Sequence, residues 1–66
     1  MVEYLAVFTL VDGLEETDME PFCHLVATSR DEAEDEALRL PRPEGANFVK
    51  LFRDGQYEGP KLGFDL

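Results

Sequence analysis

Cys23 and His24 are the only cysteine and the only histidine in the chain, and fifteen Asp and Glu residues supply the remaining groups that could transfer a proton or hold a metal. A thiol nucleophile needs a base within hydrogen-bond reach. Neighbouring residues of a strand point to opposite faces, so Cys23 and His24 cannot serve each other. Neither a zinc site nor a thiol triad can be completed, because there is no second histidine or cysteine. Two carboxylates can share acid and base roles only where their surroundings separate their pKa values, and no pocket-forming pattern marks such a pair. The acidic stretch Leu14–Pro21 lacks the D-x-[DN]-x-[DN]-G ladder that spaces oxygens around calcium. The sequence therefore predicts a protein that is not an enzyme, with no metal site and no cofactor.

What the carboxylates do have is an uneven placement. Five of the six residues from Asp31 to Glu36 are acidic, the sixth being Ala33. Between residues 12 and 36 there are ten acids and one base, Arg30, which accounts for the whole formal charge of −9. The rest of the chain is balanced, with five acids and five bases. Direct binding to nucleic acid is excluded by this field, and a basic protein surface is its natural complement.

The elements that must carry these groups follow from periodicity and punctuation. Val2–Val11 is rich in β-branched and aromatic residues and apolar on both alternate sets, which predicts a strand inside the sheet. Asp12-Gly13 marks a turn, Leu14–Pro21 reads as an acidic connection, either a solvated loop or a widened hairpin, and Phe22–Thr28 reads as the second strand. Cys23 is expected to be a small buried hydrophobe and His24 a partly exposed strand residue. Ser29-x-x-Glu32 has the form of a capping box opening a helix. Ala33, Ala37 and Leu40 then form one thin apolar stripe, and Asp31, Glu32, Glu34, Asp35 and Glu36 sweep the remaining surface. Pro41 and Pro43 end the helix. Asn47–Arg53 is a third strand, and Asp54-Gly55 predicts a hairpin to a short strand at Gln56–Glu58. Gly59-Pro60 is expected to break it, leaving Leu62, Phe64 and Leu66 alternating in a tail. The fold class is α+β: a small antiparallel sheet, β-β-α-β-β, with one helix packed on one face, all in one domain over residues 1–66.

A core this small gives only marginal stability, and one helix covers one face of a sheet. Cover for the other face is expected from loops, the tail, a partner or a second copy as a homodimer. The N-terminal apolar run stops at Asp12, too short for a membrane span and wrong for a signal peptide, which predicts a cytoplasmic protein with no membrane contact.

In size, acidity and absence of catalytic motif the chain resembles small phage-encoded anti-defence proteins, including anti-CRISPR and DNA-mimic inhibitors. Five charges over the rise of six helical residues is about one per ~1.8 Å, against about one per ~1.7 Å of duplex DNA. The resemblance implies an inhibitor whose carboxylate face occupies a basic nucleic-acid-binding protein or complex. Asp31, Glu32, Glu34, Asp35 and Glu36 are the candidate partner-binding residues, extended by Glu15, Glu16 and Asp18. The strand pair followed by the Ser29-capped helix and a further strand is also similar to the small domain of HicB-type antitoxins. This chain departs from that pattern in having no Pro-Gly turn before the helix and no DNA-binding segment. An accessory interaction domain belongs with that second reading.

Overall fold

Strand β1 (Val2–Asp12) is the element to which the rest is paired. It lies between β2 (Glu15–Ala27) and β3 (Phe48–Arg53), and β3 pairs outward with β4 (Gln56–Gly63), giving the antiparallel order β2-β1-β3-β4. The computed structural model describes residues Met1–Phe64. Because β2 and β3 both run antiparallel to β1, they are parallel to each other. Helix α1 (Arg30–Arg39) is the crossover that carries the chain over β1 between them. No helix among the described residues is long and apolar enough to cross a membrane.

The alternation of β1 assigns the two faces. Tyr4, Ala6 and Phe8 point toward α1 and are buried with Leu25, Ala27, Val49 and Leu51. Ala33 and Ala37 of the helix are both 0 % exposed, and Leu40 packs beside them, so the thin stripe lies directly on the sheet. Small side chains are what permit that close approach. Phe64 closes the far end, stacked on Phe8 at 5.9 Å between ring centroids, with the Arg42 guanidinium 5.0 Å over the ring. The part of the expected tail that falls at Leu66 lies outside the described residues.

Three boundaries differ from the sequence expectation. The stretch Leu14–Pro21 is not a loop: β2 begins at Glu15, and a two-residue turn of Gly13 and Leu14 joins it to β1. Gly13 has φ 63°, which fits a Gly at the first central position of a type II′ turn. The acids are poor strand formers taken singly. Pairing decides the matter, with Asp18 opposite Thr9, Thr17 opposite Leu10 and Glu16 opposite Val11. Strand β4 likewise runs through Gly59-Pro60 to Gly63 instead of stopping. It is an edge strand, and a register shift between Val49 and Leu51 takes up the irregularity, two settings in which proline is tolerated in a sheet. Finally, the capping box is half formed. Ser29 Oγ accepts from the Glu32 N–H at 3.2 Å, but the Glu32 carboxylate reaches one residue further back, accepting from the Thr28 hydroxyl at 2.7 Å.

The face of the sheet away from α1 has no helix over it, yet its centre is dry. Val7 and Thr9 are 3 % and 0 % exposed there. Lys50, paired across from Val7, lays its stem over the centre, its side chain only 12 % exposed. This is the cover that a second helix would otherwise supply.

Candidate protein-binding surface

The eight carboxylates singled out by the sequence fall into two sets with different surroundings. Glu16 and Asp18 share the parity of Thr9 and Val11, so they stand on the open face, away from the helix. Strands β3 and β4 bring cations to them. Lys50 Nζ lies 2.7 Å from Asp18 and 3.9 Å from Glu16, and Lys61 bonds Glu16 from β4. Asp18 also accepts from the Thr9 hydroxyl at 3.3 Å. The hydrogen bond from Lys61 holds the Glu16 carboxyl below its ordinary range and raises the Lys61 ammonium above its own. Glu16 and Asp18 therefore belong to an internal ion-pair network. They do not extend the helix surface. Glu15, on the other parity, stands apart at the tip of the β1–β2 ribbon.

The second set surrounds α1. Asp35 pairs with Arg39 at 3.0 Å, an exposed i,i+4 bridge worth about 0.3–0.5 kcal/mol. Glu34 does not face outward as its neighbours do. It is half-buried beside Arg30, 3.5 Å from Nε. Arg30 in turn reaches Glu58 of β4 at 3.5 Å, and Glu58 holds Arg53 at 2.6 Å. Arg30 is thus a tie between helix and sheet. At about 100° per residue, the Arg30 and Glu34 flank that meets β4 lies opposite the Glu32 and Glu36 flank. The helix packs chiefly on β2, and its Glu32 and Glu36 flank is turned away from β4, toward the β2 side of the sheet.

Most side-chain cations in the described chain are committed to ion pairs. Arg30, Arg39, Lys50, Arg53 and Lys61 sit in ion pairs, and Arg42 lies over Phe64. Among the described residues, Asp12, Glu15, Glu20, Asp31, Glu32 and Glu36 have no cation within ion-pair distance, and all belong to the β1–β2 ribbon or to α1. Glu44 and Asp54 are the other such acids, both in loops.

Cys23 is half-buried on the helix side of the sheet, and His24 is exposed on the other, its Nδ1 3.4 Å from Glu3. The strand separates them, as its alternation requires. No group of three His, Cys, Asp or Glu side chains among the described residues is placed to hold a metal ion. The sequence reading missed a different feature. Val26, 50 % exposed, shares the open face with His24 along the outer strand, and Phe22, 45 % exposed, precedes them where the β1–β2 register shifts. The signal was present in the alternation, but only the strand order reveals that β2 is an edge. Compared with known proteins, the chain matches no family model, no curated protein and no solved structure.

Proposed function

We propose that this chain is a small acidic binding protein that inhibits a nucleic-acid-binding partner by occupying its Lys/Arg-lined surface. The docking surface is the outward side of α1 with its flank on the β2 side of the sheet. One observation carries the reading. Five of the six Lys and Arg side chains are held in ion pairs within the chain and the sixth, Arg42, lies over Phe64, whereas Asp12, Glu15, Glu20, Asp31, Glu32 and Glu36 have no cation within ion-pair distance, so the field outside the ribbon and α1 is negative. With Glu34 tied to Arg30 and Asp35 to Arg39, the unpaired carboxylates of α1 are Asp31, Glu32 and Glu36, and the partner's groove supplies their missing counter-charge.

The test is competition. The partner captured with this protein from its native host is purified, and its nucleic acid is displaced by titration at increasing salt. Affinity falls as salt rises. Changing Asp31→Asn, Asp35→Asn and Glu36→Gln together leaves the Glu32 cap intact and weakens binding tenfold or more, since ~1.4 kcal/mol suffices for that. Changing Glu44→Gln and Asp54→Asn, in loops away from α1, has little effect. Equal losses from the two sets, or binding that ignores salt, would refute the reading. A small ribonuclease as the captured partner would instead support the antitoxin class.

A further inference from the structure

The sheet has two edges, and they are not equally protected. β4 carries Gly59-Pro60, a register shift opposite and Lys61, all devices that discourage further pairing. The first half of β2 is blunted in the same way by Glu15, Glu16, Asp18, Glu20 and Pro21. The second half, Phe22–Ala27, has neither a proline nor an acid. From Cys23 to Ala27 it is paired to β1 on one side only, Phe22 lying where the register shifts, and none of its backbone groups takes part in a turn, loop or cap hydrogen bond. It leaves a row of outward N–H and C=O groups in a stretch of strand-forming residues. On the open side of that row stands Val26, half exposed, and Phe22, 45 % exposed, lies at its start where the register shifts. On the helix side, the Glu32 and Glu36 flank of α1 is turned toward this edge, neither carboxylate with a cation within ion-pair distance.

We propose that Phe22–Ala27 is a docking edge that accepts an extended segment of the basic partner as a further strand. This rests on the acidic-surface reading above and adds the mode of attachment. The alternation of the incoming strand is specified by its two sides. Residues facing α1 meet Glu32 and Glu36 and are Lys or Arg. Residues facing the open side meet Val26 and are apolar. Main-chain hydrogen bonds supply affinity, and the alternate side chains supply specificity. A second copy of this chain is the poorer occupant, because each copy has a charge of −9 and edge-to-edge pairing would bring both carboxylate rows together.

The probe is a capped peptide of four Lys-Val repeats, compared with a capped peptide of the same composition arranged as four Lys then four Val. Each is titrated into the isotopically labelled protein while amide hydrogen exchange is followed. With the alternating peptide, every second amide in Phe22–Ala27 slows tenfold or more, while those of Glu15–Glu20 keep their rates. The block peptide binds at least tenfold more weakly. Val26→Lys, at a half-exposed position, keeps the fold and removes the slowing. Equal affinity for both peptides without slowing in Phe22–Ala27 overturns strand addition and leaves the surface-charge reading standing. No binding of either peptide also overturns it, as does slowing that depends on protein concentration alone, which identifies a second copy as the occupant.

Discussion

Glu16 with Asp18 and Asp31 with Glu36 are pairs of carboxylates in acidic stretches, and in the sequence they read alike. Their surroundings make them different objects. Lys50 and Lys61 cross the open face to meet the first pair, and the Lys50 stem covers Val7 as it does so. The second pair projects from a helix whose two arginines are spent on Glu34, Glu58 and Asp35. A run of acids thus says little about which carboxylates remain available to a partner. The sheet register decides, because it determines which cations are carried across to them.

The sharpest way to break this contrast is to move a carboxylate from the outside of α1 to its underside. Ala37→Glu places a charge where there is no space and no partner, and costs several kcal/mol, about the whole stability of a domain this size. Circular dichroism should show no cooperative melt. Removing the bridging cation is the next largest effect. Lys50→Ala uncovers Val7 and strands Asp18, at a cost of about 1–3 kcal/mol in denaturant unfolding. A smaller loss, equal to that of an exposed lysine, would mean that the network is only decoration.

The third test uses pH. Glu16 titrates below its ordinary 4.5 when folded, so its contribution is present above that value and is lost as pH falls through the lowered one. Lys61 titrates above its ordinary 10.5, so the same bond is present below that value and is lost as pH rises through the raised one. The difference in melting temperature between the parent and Glu16→Gln should therefore be level from about pH 6 to 9 and close at both extremes. A difference that persists unchanged into acid would deny the bridge. The smallest effects come from the helix surface and have opposite signs. Asp35→Asn loses the Arg39 bridge and costs a few tenths of a kcal/mol. Glu36→Gln relieves its i,i+4 repulsion with Glu32 and gains a similar amount. Paired urea titrations resolve the sign.

Much of the architecture was legible locally. Alternating apolar residues in β1, Ser29 before a stripe of Ala33, Ala37 and Leu40, and Asp54-Gly55 between two strands each specify an element through short-range geometry alone. Asp54 itself takes φ 53° at that turn, as the dipeptide implies. What local preferences left open was the stretch from Leu14 to Pro21, a loop or a widened hairpin, which the structure shows to be a hairpin arm. Single-residue preferences do not choose between the two, whereas β1 offers it a pairing partner at every position from Thr9 to Asp12. Glu34 was misread for a similar reason, since its place depends on Arg30 reaching across to Glu58.

By itself, then, the sequence determined the helix phase, the turn at Asp54-Gly55 and the confinement of the excess charge to residues 12–36, all properties of neighbours along the chain. Only the tertiary structure decided which carboxylates meet a lysine and which edge of the sheet is left open at Phe22–Ala27. Both depend on strand order and register, which bring together residues more than thirty positions apart, such as Asp18 and Lys50. Local spacing carries no record of such a pairing, because the same acids would read identically beside any neighbouring strand.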